Sequence, residues 1–232
     1  MVTAIVDIET DSLDASTVHC IVACEYETGK EKVWVQDECS KFASWSEKID
    51  TFIMHNGVSF DAPILNRLTG SRIKLSQVRD TLIESQLYNP IRDKGHSLAA
   101  WGERLGFPKG DHTDFEYYSP EMLEYCKKDV RITRKVAQEL EKEGKKFSTK
   151  SYELERKVRA IVDQQESNGF SFNLREAMAF LATLEEEEQS LSDKSQEMFE
   201  PTEVKLVTKT KYIPFNIGSR KQIAERLMKL GW

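Results

Sequence analysis

The sequence predicts an α/β domain built as three layers around a mixed sheet, followed by a mainly helical extension. Three observations predict it. Short β-branched and apolar segments come first, and helical patterns follow that would cover a sheet. One segment, residues 51–55, is nearly all apolar, as expected of a strand buried on both faces. From about residue 148 the pattern changes to long polar helical stretches.

Residues 2–8 alternate and are rich in β-branched side chains, which reads as a strand ending at Asp7-Ile8-Glu9. Asp11-Ser12-Leu13-Asp14 follows as a loop. Residues 18–26 give a second strand, and the turn Thr28-Gly29-Lys30 leads into a third at 32–36, completing an antiparallel meander. A helix is expected over 42–49, then the buried strand over 51–55, then a helix over 60–68 closed by Gly70. Further helices are expected at 80–87, 97–105 and 120–143. The change of composition divides the chain into a domain of residues 1–147 and an extension of residues 148–232. In the extension, helical patterns run over 152–166 and 174–199, with a stop at Asn168-Gly169 between them. A strand-like stretch over 203–213 carries Lys205, Lys209 and Lys211, and a short helix starts at Ser219.

With 232 residues, 39% of them hydrophobic and 31% charged, the chain has an ordinary soluble composition and enough length for a sizeable core. No apolar run is long enough to span a membrane, and the first residues carry no basic leader, so a cytoplasmic protein without membrane partners is expected. Cys20, Cys24, Cys39 and Cys126 show no metal-finger spacing and read as reduced thiols. The net charge of −6 argues against tight non-specific nucleic-acid binding. It does not argue against a metal-dependent nuclease, whose acidic site is partly neutralised by bound cations.

Three clusters of acidic residues carry the chemistry. In a strand, residues i and i+2 share a face, so Asp7 and Glu9 project together. Paired carboxylates either lie on a solvated edge or hold a cation, and hard oxygen ligands suit magnesium or manganese. Asp61 closes His55-Asn56-Gly57-Val58-Ser59-Phe60-Asp61 at a predicted strand-to-helix junction. Taken alone, Asp61 reads as a helix N-cap; beside the first pair it becomes a third ligand. Asn56 can donate its amide to a phosphate or sugar, and Gly57 permits a tight turn. Tyr125 and Asp129 are four residues apart on one helix face, a carboxylate for a cation and a phenol to orient water, or else a tyrosine packed on the sheet. Lys127, Lys128, Arg131, Arg134 and Lys135 on that helix read as solvated surface. The ordered set points to hydrolysis of a phosphodiester between two divalent ions.

The same residues resemble the DEDDy class of 3′–5′ exonucleases with an RNase H-like fold, and most of all the proofreading domain of family A DNA polymerases. The run Asp7-Ile8-Glu9-Thr10-Asp11-Ser12-Leu13-Asp14 resembles the first exonuclease motif of the bacterial enzymes. Arg79-Asp80-Thr81-Leu82 resembles a further family segment, and Gly95-His96-Ser97-Leu98 with Trp101-Gly102-Glu103-Arg104-Leu105-Gly106 resemble the helix between the second and third motifs. His55-Asn56-Gly57, Asn168-Gly169-Phe170, Phe215-Asn216 with Ser219-Arg220, and Leu230-Gly231-Trp232 are more similar to the replicative polymerases of short-tailed phages. The resemblance implies that Asp7, Glu9, Asp61 and Asp129 bind two Mg²⁺ or Mn²⁺ ions and that Tyr125 orients the attacking water. It implies further that Leu13 wedges beside the terminal base and Asn56 contacts the substrate, a single-stranded or frayed DNA 3′ end. Asp80 is expected to be a structural acid and His96 a hydrogen-bonding residue at a helix start. No palm or fingers motif follows, so a split or truncated phage polymerase, with a separate polymerase subunit as partner, is expected. Two alternatives stand beside this: a non-catalytic half of a two-chain polymerase, and an exoribonuclease of the same fold.

Overall fold

The computed structural model describes residues 1–205 and 208–232. Strands β1 (Thr3–Thr10), β2 (Val18–Glu25), β3 (Glu31–Val35), β4 (Thr51–Met54) and β5 (Val78–Asp80) form one mixed sheet in the order β3-β2-β1-β4-β5. The first three are antiparallel, as expected, while β4 and β5 add in parallel. β1 is central because both of its faces are apolar. Ala4, Val6 and Ile8 pack with Phe42, Phe52 and Leu65 on one side. Ile5 packs with Ile53, Met122 and Val130 on the other. Burying a side chain of this size is worth about 1.5–3 kcal/mol, so this sandwich fixes which way Asp7 and Glu9 point.

Six helices accompany the sheet: α1 (Phe42–Ser46), α2 (Asp61–Thr69), α3 (Thr81–Tyr88), α4 (Leu98–Arg104), α5 (Pro120–Glu143) and α6 (Thr149–Asn168). Their starts follow from capping chemistry. The side chains of Ser97, Ser119 and Ser148 accept from backbone amides two or three residues into α4, α5 and α6. Pro120 occupies the first turn of α5, where its missing N–H costs nothing. Gly70 ends α2 at φ +76.

Four differences from the sequence expectations have physical causes. The helix expected over 42–49 stops at Ser46, because the chain turns back so that Asp50 and Thr51 can both donate to the Val2 carbonyl and begin β4. β5 was not expected at all: it is three residues long, its Asp80 has poor strand propensity, and its pairing to β4 makes it a strand. The cations of α5 are less free than expected. Arg131 pairs with Glu31 at 2.6 Å, and Arg134 donates to the carbonyls of Tyr26 and Glu27, so both clamp the β2–β3 turn. The single strand-like stretch over 203–213 is two paired strands, β6 (Thr202–Lys205) and β7 (Thr210–Ile213); Leu206 and Val207, in its middle, lie outside the described residues.

Packing divides the described residues into Met1–Gly169 and Phe170–Trp232. The composition changes after residue 147, whereas packing changes after Gly169. The helix between is polar in sequence but anchored to the first unit. The Tyr152 hydroxyl accepts from the Asp80 amide at 2.6 Å, and Ser59 donates to Asp163 at 2.8 Å. The second unit consists of α7 (Leu174–Met198), the β6–β7 hairpin and α8 (Arg220–Lys229), with the rings of Phe199 and Phe215 4.7 Å apart at its centre. Among the described residues no helix is long and apolar enough to cross a membrane.

Candidate active site

Asp7 and Glu9 leave β1 on the α5 face, alongside Ile5. A bulge lies next to Glu9: Glu9 pairs with Cys20 and Thr10 with Val18, leaving His19 without a partner in the ladder. The ring of His19 bonds the Phe115 carbonyl at 3.0 Å and so ties the segment before α5 to the sheet beside Glu9.

Asp61 arrives from the opposite side. Asn56 adopts φ +68, and Gly57 is required for a different reason from the one its sequence suggested. Its φ is not positive, but an added Cβ would lie 2.2 Å from the Met54 Cβ. This tight path is held by Asp80, whose carboxylate accepts from the amides of Asn56 and Val58, each at 3.0 Å. Asp61 does not act as the N-cap of α2. That position is Phe60, which makes no side-chain cap, and Asp61 is only 3% exposed.

From α5, Tyr125 and Asp129 face the same place. Asp129 is 3% exposed and Glu9 8%. The ligand atoms of Asp7, Glu9 and Cys126 lie within 4.8 Å of one another, the thiol donating to Asp7 at 3.5 Å. The ring of Tyr125 is held by His112 at 5.7 Å and Phe115 at 6.3 Å between centres. Lys109, which sequence reasoning missed, places its ammonium 2.6 Å from Asp129 and 4.6 Å from the centre of the Tyr125 ring. Its only advance signal was a Pro-Lys-Gly loop after a predicted helix. Leu13, 89% exposed, lines one slot with Glu9, Phe60 and Phe115. The two aromatic rings were likewise not singled out from sequence. Asn56 lies on the turn that leads into α2, its carbonyl accepting from the amides of Ser59 and Phe60. His96 bonds Ser85 at 2.8 Å before α4, the hydrogen-bonding place expected for it.

The electrostatics follow from this crowding. Burial pushes Glu9 up to about 8, with Asp129 adding to the shift and Lys109 opposing it. Burial raises Asp61 to about 7, helped by Asp80. Asp7 is raised well above the usual carboxylate range by burial and then by Asp129, Asp61 and Glu9. Asp129 is raised by burial against the pull of Lys109. Two carboxylates at about 4 Å repel by roughly 4 kcal/mol at an effective dielectric near 20. One lysine cannot balance four acids. One oxygen of Asp129, Oδ1, is buried with no hydrogen-bond partner. A set of hard oxygen donors with surplus negative charge and an unsatisfied acceptor fits divalent cations.

A stability prediction follows. The folded protein holds these protons more tightly than the unfolded chain does. The stabilisation is therefore complete below about pH 4 and lost as pH rises through 7 to 8. In chelator, the melting temperature should fall by several degrees between pH 5 and pH 8. Asp7→Asn should flatten that slope, and Mn²⁺ should restore the loss at pH 8. A chelated protein equally stable at both pH values would contradict it.

Comparison with known proteins bears on the whole arrangement. The family model described as 3′-5′ exonuclease, of the DNA polymerase A type, matches residues 4–145. The DNA-directed DNA polymerase of Escherichia phage T7 is 24% identical over 236 residues, covering 73% of this chain and 33% of the relative. That of Enterobacteria phage T3 is 23% identical with the same coverage. The chain thus spans about a third of the length of these curated relatives. The catalytic core of RRP6 from Trypanosoma brucei superposes with a TM-score of 0.52 at 12% identity, covering 70% of this chain and 46% of that one. At that identity the likeness concerns the fold alone.

Proposed function

Because the chain belongs to the 3′-5′ exonuclease family of DNA polymerase A and has its RNase H-like fold, we propose that it removes nucleotides from DNA 3′ ends with two Mg²⁺ ions held by Asp7, Glu9, Asp61 and Asp129. The observation that carries this is that carboxylates from β1, the start of α2 and α5 lie close enough to raise one another's pKa, three of them buried and Asp7 half-buried. The bound ions would supply positive charge to the attacking and leaving oxygens. The protein's own groups do the rest. The Tyr125 hydroxyl, its ring fixed between His112, Phe115 and Lys109, holds the attacking water by a hydrogen bond. Leu13, Phe60 and Phe115 offer apolar faces to the terminal base, and Asn56 offers its amide to the sugar-phosphate. Water attacks the last phosphodiester, the bond from phosphorus to the 3′ oxygen breaks, and a nucleoside 5′-monophosphate leaves.

The curated relatives are DNA polymerases, which supports an editing role beside a polymerase part, on a separate subunit or otherwise joined. A 5′-labelled DNA oligonucleotide with Mg²⁺ tests the activity. A ladder of successively shorter products that disappears in chelator is expected, with an RNA oligonucleotide degraded more slowly. Faster loss of RNA would assign the ribonuclease alternative. No loss of either would leave only a binding role. Tyr125→Phe removes one hydrogen bond in the transition state and should lower kcat about 10- to 100-fold with KM little changed. An unchanged kcat would remove Tyr125 from the reaction.

A further inference from the structure

Lys109 lies among the acids of the site, and its placement is built rather than incidental. Gly102 of α4 has no side chain at the point where the Lys109 segment crosses it. An added Cβ there would stand 2.8 Å from the Phe107 carbonyl oxygen and 3.0 Å from the Lys109 amide nitrogen. The Phe107 amide donates to the Gly102 carbonyl at 2.8 Å, pinning the segment. Lys128 and Lys135 of α5 lie 5.9 and 5.4 Å from the Phe107 ring centre. The Lys109 side chain then reaches inward, 24% exposed, and meets one oxygen of Asp129 at 2.6 Å while Oδ1 of the same carboxylate stays unpaired.

We propose that Lys109 is a positioning residue: it is the resident counter-charge that keeps Asp129 and the Tyr125 ring in register, and it competes with divalent cations for Asp129. The proposal rests on the exonuclease reading of the site. In the cation-free protein the ammonium shields Asp129 from the carboxylates of Asp7 and Glu9, on both of which it acts as the opposing positive charge. When a divalent cation is held by Asp129, two positive charges face each other within a few ångströms, and the lysine weakens that cation's binding. What it gives in return is a fixed Tyr125. The attacking water is oriented by a phenol whose ring contacts Lys109, His112 and Phe115.

Calorimetric titration of MnCl₂ into the whole chain, stripped of metal, at pH 8 separates these ideas. Lys109→Met should bind Mn²⁺ about tenfold more tightly than the wild type, yet melt at a lower temperature in chelator and show a lower kcat. Lys109→Arg, which keeps the charge, should return the Mn²⁺ affinity to within about threefold of wild type. Gly102→Ala displaces the same segment and should tighten Mn²⁺ binding in the same direction, so the proposal stays testable if Lys109→Met does not fold. Equal or weaker Mn²⁺ binding by folded Lys109→Met would overturn it, because a merely structural lysine loosens the site when lost. Absence of any wild-type Mn²⁺ binding that Asp7→Ala removes would instead refute the metal-site reading itself.

Discussion

Replacing Asp7 and Glu9 together by alanine should abolish nucleotide release, lowering the rate by about 10⁴-fold or more, while making the chelated protein more stable at pH 8. The first effect follows from the chemistry proposed. If charge stabilisation at the attacking and leaving oxygens supplies about 5–6 kcal/mol, its loss is a factor near 10⁴. The second follows from electrostatics. Glu9 is pushed up to about 8 and Asp7 well above its usual range because burial and the neighbouring carboxylates disfavour their charge. Removing both relieves that repulsion, so activity and cation-free stability should move in opposite directions. An ordinary destabilising double mutant would lose both. Activity within tenfold of wild type would mean that hydrolysis occurs elsewhere.

Asp80→Ala should be the most destabilising single change in the first unit, by about 4 kcal/mol, or roughly 10 °C in melting temperature. Asp80 is 1% exposed. One oxygen accepts from the amides of Asn56 at 3.0 Å, Leu82 at 2.9 Å and Ile83 at 3.4 Å, and the other from Val58 at 3.0 Å. Alanine leaves two buried and two part-buried donors without an acceptor, the buried ones at about 1–3 kcal/mol each before relaxation. It also frees the turn that aims Asp61 at β1, so activity should fall with stability. Asp80→Asn retains one acceptor oxygen and should cost about half as much. Urea unfolding measures both; a loss under about 1 kcal/mol for alanine would show that other contacts hold the turn.

Some of this was legible in the sequence, for identifiable reasons. The i, i+2 spacing of Asp7 and Glu9 and the i, i+4 spacing of Tyr125 and Asp129 are local geometry, and a strand or helix translates them directly into shared faces. Residues 120–143 were bounded correctly because Ser119-Pro120 announces a helix start and the apolar stripe through Met122, Cys126 and Val130 continues into it. Asp61 was ambiguous because a carboxylate at a helix start usually caps it. Only the tertiary fold, by pinning the Asn56–Val58 backbone on Asp80, turns it inward. β5 escaped because its three residues become a strand through partnership with β4. Lys109 escaped because the packing of a loop against a glycine on another helix decides where it goes. α6 reads as part of a polar extension, and a few side chains such as Tyr152 bind it to the first unit.

The central claim is that carboxylates from β1, α2 and α5 share bound cations. Anomalous diffraction at the manganese edge, from crystals of the whole chain soaked in MnCl₂, tests it most directly. Two peaks are expected, each at roughly 2.0–2.3 Å from oxygens of Asp7, Glu9, Asp61 or Asp129, with Lys109 moved off Asp129. Manganese bound only at other surface acids, with the Lys109–Asp129 pair intact, would contradict the account.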